Sequence, residues 1–557
     1  MTSLKDDLAL LLKEALPSIG AADAGFDVAG SFETPKEEKF GDVSTNLVMR
    51  FAREKKTAPR PLAEKFHKRL EELLPASPLK DRIARIAVEG PGFINFHFSP
   101  KEIASVVLDV KAKGSLFGKP SVKNKNILLE YVSANPTGPL TVAHGRQAAL
   151  GDSLARILRF CGHKVTTEYY NNDEGVQINT LGKSLYYRLR ELLKEPVEPM
   201  PEEYYKGDYL FDIARDFAAK EGEAFQKLPE DEKLRRCRLY ARKTIMAGIK
   251  KDLADFDVAF DDYYSQEALG KSGKVEATLE ELKKRGMVFE SEGAVWLKST
   301  QFGDDKDRVL IKSDKNYTYL TPDIAYHHEK FKRGFEMLID ILGPDHHGYI
   351  ARLKASQQAL GHDPDAVNVL IAQLVTLYEN GQQVRMSTRA GEFVTLREIL
   401  DEVGKDAGRF FFLMRRFDAH LDFDLALAKS QTPDNPVFYI QYAHARIESV
   451  KEKHGVKADW SKPGDLARLT DPLETGVMRA LGQFEESVLG ADKTLEPFRL
   501  VPYLMDLAAT FHRFYAENRV VTEDANLTNA RLMLSEAVQQ VLRNGLGLLG
   551  VSAPLKM

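Results

Sequence analysis

The chain has 557 residues, of which 43% are hydrophobic and 29% charged, with a formal net charge of −4. That length exceeds what one hydrophobic core serves and predicts about two to four domains, while the composition excludes a disordered or fibrous protein. A mildly acidic balance requires any nucleic-acid partner to be held by local basic patches rather than by a global field.

Only Cys161 and Cys237 occur, which argues against a disulfide framework and a cysteine-ligated zinc site and points to a reducing cytoplasm. The opening "LKDDLALLLKEAL" reads as an amphipathic helix rather than a signal peptide. No apolar run reaches the roughly 18 residues of a membrane span, so no membrane partner is expected.

In chain order, residues 1–118 read as a helix, a polar loop, one long basic helix "RFAREKKTAPRPLAEKFHKRL", and an alternating β segment broken by Gly-Pro-Gly: a small α+β domain. Residues 119–432 read as an α/β domain. Its strand "NILLEYV", turn "SANPTGPLTVAH", helix and strand "KVTTEYY" form a βαβ unit, which predicts a parallel, Rossmann-like sheet. Charged helical sequence over about 171–300 reads as an insertion, after which "FEMLIDILGPDHHGY" resumes the α/β pattern. Asn380-Gly381 between alternating segments predicts a hairpin. From 433 to 557 only helical periodicity remains, so the fold class is multidomain α/β with an all-α end.

Parallel sheets bind ligands at the carboxyl ends of their strands, and a first strand-to-helix turn suits an anionic group. The stretch "SANPTGPLTVAHGR" is such a turn, but it lacks both the Gly-Lys-Ser ending of a P-loop and a Gly-x-Gly-x-x-Gly fingerprint. It presents Gly138 and, at the helix start, His144; ordinary turn chemistry with a structural histidine is the plain alternative. Gly343, Asp345, His346 and His347 end another strand, where an acid suits a ribose hydroxyl. "VRMSTRAGEFVTL" follows the hairpin and carries Arg385, Met386, Ser387, Thr388 and Arg389.

Those three strand-end motifs, in that order, resemble the signature of class I aminoacyl-tRNA synthetases. Over essentially its full length the chain resembles the bacterial arginyl-tRNA synthetase family, through "GDVSTN", "VEGPGFINF", "SANPTGPLTVAHGR", "YYNNDEGVQINTLGKSL", "YLTPDIAYHHEK", "LGPDHHGYIARLKA", "MSTRAGEFVTL", "YIQYAHARI" and "LGLLGVSAP". The resemblance implies ATP-dependent activation of L-arginine followed by transfer to the tRNA terminal adenosine, with Mg2+ accompanying ATP, no structural metal, and a cytoplasmic monomer. It aligns the family's "HIGH" with Thr141, Val142, Ala143 and His144, so only the second histidine is kept. It aligns "KMSKS" with Arg385 to Arg389, where Thr388 stands at the lysine position and Arg385 or Arg389 carries the charge instead. Catalytic roles fall on His144, Thr141, Arg385, Ser387 and Arg389, and ATP contacts on Gly138, His144, Gly343, Asp345, Met386 and Ser387. Arginine recognition falls on Glu130, Ser133, Asn135, Tyr319 and Asp323 with His346 and His347, in an order of carboxylate roles that the sequence leaves open. By the same carry-over the basic helix and N-terminal domain meet the tRNA corner, and the C-terminal domain meets the anticodon through residues drawn from Tyr439, Tyr442, His444, Phe511 and Tyr515. A catalytically weak paralogue that binds tRNA or arginine is the alternative, motivated by Thr141, Ala143 and Thr388.

Overall fold

The computed structural model describes residues 4–21, 25, 27–35, 37–384 and 393–557. At its centre lies a five-stranded, all-parallel sheet built from β1 (Asn126–Glu130), β2 (Lys164–Asn171), β3 (Asp262–Ser265), β4 (Met337–Leu342) and β5 (Val367–Ile371). Its spatial order β5-β4-β1-β2-β3 reverses direction between β1 and β4, which makes that junction the topological switch point where such sheets bind ligands. The apolar run of β1 is buried along nearly its whole length, as expected of a strand covered on both faces.

Helix α1 (Val142–Cys161) crosses from β1 to β2 and packs closely because two of its positions lack a side chain. A Cβ on Gly151 would lie 2.2 Å from the Tyr131 ring, and one on Gly145 would lie 2.9 Å from Leu396. Helix α2 (Leu320–Lys332) leads into β4.

The stretch expected to be an insertion differs from its reading. It holds long helices at Val176–Leu192, Tyr209–Gln226 and Glu230–Asp255, but its Asp262–Ser265 segment is the edge strand β3 of the core itself. A short, polar edge strand carries no apolar run by which to announce itself. The N-terminal part is a four-stranded antiparallel sheet with helices against it and its own apolar core. Its basic stretch forms two helices, Leu47–Glu54 and Pro59–Leu73, rather than one. Lys56 takes a positive φ of 53°, and Pro59 has no N–H with which to continue the first helix and instead starts the second.

The hairpin forms as read, pairing Val375–Glu379 with Gln382–Gln383 around Asn380 and Gly381, both with positive φ. From Pro436 onward every described element is helical, and this part shares one apolar core with the α/β sheet.

Candidate active site

The chain leaves β1 through two very tight turns. Ser133 N–H donates to Tyr131 O across Val132, whose φ of 67° makes a γ-turn that a β-branched residue adopts only at a cost. Thr137 N–H donates to Asn135 O across Pro136, whose ring fixes the φ required for the inverse turn. Two tyrosine hydroxyls pin the result, Tyr169 to Ala134 O at 2.6 Å and Tyr209 to Thr137 O at 2.5 Å. Tyr209 also lies against Gly138, where a Cβ would sit 3.4 Å from its hydroxyl.

At the start of α1, Thr141 is the N-cap and His144 the N3 residue of a capping box. The Thr141 backbone N–H donates to His144 Nδ1 at 3.1 Å, and the Thr141 hydroxyl lies 3.0 Å from the same nitrogen. A ring nitrogen that accepts a backbone N–H carries no proton, so in the neutral ring the proton sits on Nε2. Burial pushes the His144 pKa down to about 4 and keeps the ring neutral at pH 7. The geometry therefore produces a neutral imidazole with a fixed tautomer and an Nε2–H donor. Thr141, the unexpected residue of the signature, has its hydroxyl committed to His144.

The same turn is tied by backbone bonds to the segment that follows the second signature: Val142 N–H to Val394 O at 3.0 Å and Leu396 N–H to Leu140 O at 2.8 Å. Arg385, Met386, Ser387, Thr388 and Arg389 lie outside the described residues. The attachment of their exit to α1 is within them.

Glu130, at the end of β1, is 6% exposed. Its Oε1 accepts the Ser133 hydroxyl at 2.9 Å, and its Oε2 accepts Tyr326 OH at 2.9 Å and Lys330 Nζ at 2.7 Å. Lys330, wholly buried, also reaches Asp340 Oδ1 at 2.8 Å, while His327 Nε2 lies 3.0 Å from Asp340 Oδ2. Burial alone would lower the Lys330 pKa, but Asp340 and Glu130 outweigh it and hold the ammonium charged. Burial likewise opposes the charge on Asp340, and Lys330 with His327 overcomes it.

Asp323, one turn into α2, is partly buried; its Oδ2 accepts the Tyr349 hydroxyl, and burial raises its pKa. The Glu130 charge acts in the same direction. Asn135 Nδ2 donates to Gln177 Oε1 at 2.7 Å.

Tyr319 is the N-cap of α2, with helical backbone angles, and at 92% exposure it does not pack in the core. Asp323 in turn sits inside the first turn of α2 and is not its cap. Gly343 opens the short 3-10 helix Pro344–Tyr349, within reach of Gln147 on α1. Asp345 and His346 are exposed and pair with each other at 3.0 Å; the His347 side chain lies outside what is described. Among the described residues, no three His, Cys, Asp or Glu side chains converge as metal ligands.

Tyr326, His327, Lys330, Asp340 and Tyr349 were not anticipated. The available signal was Asp340, a single charge within the buried strand "MLIDIL", which demands a partner.

In the helical part, Phe511 and His444 are core, with His444 Nδ1 bonded to Pro554 O at 2.8 Å. Tyr442 is 37% exposed, stacks on His512, and lies under the Arg446 guanidinium at 4.4 Å; Arg446 also covers Tyr515 at 4.8 Å.

A switch point between β1 and β4, with a signature turn that presents a neutral histidine and is bonded to Val394 and Leu396, fits a class I aminoacyl-tRNA synthetase. Family profiles agree: "tRNA synthetases class I (R), catalytic domain" matches residues 106–412, "DALR anticodon binding domain" matches 440–557, and "Arginyl tRNA synthetase N terminal domain" matches 5–98. The chain belongs to the arginyl-tRNA synthetase family. It is 47% identical over 531 residues to the arginine–tRNA ligase of Syntrophotalea carbinolica, covering 95% of each chain. It is 44% identical over 559 residues to that of Geobacillus kaustophilus, covering 100% of this chain and 99% of the other. The arginyl-tRNA synthetase of Thermus thermophilus has the same fold, with a TM-score of 0.76 at 22% identity and full coverage of both chains.

Proposed function

We propose that the chain ligates L-arginine to its tRNA. In the first step an arginine carboxylate oxygen attacks the α-phosphorus of Mg2+-bound ATP in line, the bond to the bridging oxygen breaks, and pyrophosphate leaves. In the second, a ribose hydroxyl of the tRNA terminal adenosine attacks the activated carbonyl and AMP departs. Catalysis of this kind is positioning plus donors aimed at developing negative charge.

His144 supplies one such donor through Nε2–H. Because the ring is neutral, it donates without adding a charge that would have to be desolvated. Thr141 holds that ring rather than touching substrate. Arg385 or Arg389, with Ser387 and Met386, completes the phosphate contacts, and Gly138, Gly343 and Asp345 take the nucleoside.

Glu130 and Asp323 bind the cationic groups of arginine, with Ser133 and Asn135 shaping the pocket and Tyr319 beside its mouth; His346 and His347 border the same crevice. A guanidinium is matched by carboxylates at fixed angles, and lysine or citrulline would leave buried acceptors or donors unpaired. The buried Glu130 at the end of β1, opening the turn that leads to the neutral His144 donor, is the observation that carries this reading.

The proposed division of labour assigns residues 119–432 to catalysis, with 1–118 and 433–557 to the tRNA. Exposed Arg53, Lys55, Lys56, Arg60, Lys65 and Lys68 offer phosphate contacts, and the Tyr442, Arg446 and Tyr515 group offers a stacking platform for unstacked bases. One chain is the proposed working unit, acting in the cytoplasm. Arginine-dependent ATP–pyrophosphate exchange, with and without tRNA, tests the assignment; absence of exchange under both conditions refutes it.

A further inference from the structure

Four acids stand level across four neighbouring strands. Asp340 on β4 is the register partner of Glu130 on β1, Glu130 of Glu168 on β2, and Glu168 of Asp262 on β3. The first three are almost fully buried, at 1%, 6% and 0% exposure. Like charges directly opposite in a sheet repel, and buried carboxylates need partners.

Helix α2 and the residue after it supply them. Lys330 Nζ sits between Glu130 and Asp340, the single Tyr326 hydroxyl proton is shared between Glu168 Oε1 at 2.6 Å and Glu130 Oε2 at 2.9 Å, and Arg333 reaches Glu168 Oε2 at 2.5 Å.

The division of bonds at Glu130 is unequal. A carboxylate offers about four acceptor positions, two on each oxygen. Among the described residues, Oε2 receives Lys330 and a share of the Tyr326 proton, while Oε1 receives Ser133, in the turn that follows β1. The oxygen next to the turn, Oε1, therefore keeps an acceptor position.

We propose that Lys330 is a positioning residue for arginine recognition. By claiming Oε2 of Glu130 from inside, it fixes the carboxylate plane and presents Oε1 alone to a guanidinium. The substrate is then held by one bond to Glu130, with Asp323, whose Oδ2 is occupied by Tyr349, offering its other oxygen. Lys330 touches no substrate in this arrangement; its action passes through Glu130. The inference rests on Glu130 being an arginine contact, as read above.

The test compares the full-length wild type, Lys330→Met, and the charge-balanced pair Lys330→Met with Asp340→Asn. Lys330→Met alone strands Asp340 as a buried charge and is expected to unfold at lower temperature. The double variant removes that imbalance and is expected to recover most of the melting temperature. Its affinity for arginine by calorimetry, and its KM for arginine in pyrophosphate exchange, should nevertheless weaken roughly tenfold or more, while KM for ATP stays within about twofold. Wild-type arginine affinity in the double variant overturns the proposal and leaves Lys330 a purely structural ion. A wild-type protein that binds no arginine refutes the functional reading itself, and the inference with it.

Discussion

Replacing His144 separates two jobs that the structure assigns to one ring. His144→Ala removes the Nε2–H donor and also the Nδ1 acceptor that caps the Thr141 N–H. Losing a donor aimed at transition-state charge costs about 3 to 4 kcal/mol, or 10² to 10³ in rate, whereas losing a capping interaction costs about 1 kcal/mol of stability. His144→Glu keeps the cap, because glutamate is the natural N3 partner of a capping box, and its ionised carboxylate has no donor to offer in place of Nε2–H. Adenylate formation, read by arginine-dependent pyrophosphate exchange, should fall at least a hundredfold in both variants. Only the alanine variant should lose melting temperature, and tRNA binding by filter assay should stay near wild type. A glutamate variant that regains activity together with stability would show that the ring is only a cap. Burial also fixes the pH response. With a folded-state pKa of about 4 against an ordinary 6.5, the unfolded chain binds the extra proton first as pH drops. This residue's contribution to stability is therefore complete above pH 6.5 and is lost between 6.5 and 4. Exchange activity should show no His144 titration between pH 6.5 and 8.5, and an inflection there that vanishes in the glutamate variant would contradict a neutral ring.

Arg146, wholly buried, donates to the carbonyls of Gln373, Arg416 and Ala419 at 2.8, 2.8 and 2.9 Å. Arg146→Met leaves these unsatisfied and should cost about 3 kcal/mol or more in denaturant unfolding; a loss below about 1 kcal/mol would refute that role. Gly151→Ala should destabilise by about 2 kcal/mol through the clash with Tyr131, whereas Gly248→Ala, on an exposed helix face with nothing within 4 Å, should stabilise by about 0.5 to 1 kcal/mol. Thermal unfolding of the two variants should shift in opposite directions. Tyr442→Ala should weaken tRNA binding by about 1 to 3 kcal/mol and leave tRNA-independent steps unchanged; an equal loss in arginine binding would place Tyr442 elsewhere.

The parts of the fold that were legible in the sequence are those written in local chemistry. An apolar run followed by a proline-rich turn and a long helix gave the first crossover, and Asn380-Gly381 gave the hairpin. The break at Lys56 to Pro59 was equally local, but the basic composition on both sides masked it. The edge strand at Asp262–Ser265 was hidden because it borrows its order from β2 rather than from its own residues. At the site, the histidine and the turn could be found from spacing, while Lys330 could not. Its partners lie 200 residues before it on one strand and 10 after it on another, and their nearness exists only once the strands are in register. Thr141 was visible as an anomaly, and its use became clear only with the bond to His144.

The level row of acids also bears on how the sheet assembles. A parallel strand displaced by one residue turns its whole side-chain set to the opposite face. Were β4 to pair one step out against β1, Asp340 would face away from α2, and Lys330 would meet Ile339 or Ile341 in its place. A buried ammonium facing an isoleucine, and a carboxylate stranded on the far side, are each costly enough to empty that state. The same charges that shape the pocket therefore proofread strand alignment, and an error in pairing is rejected before an active site exists to be misshapen.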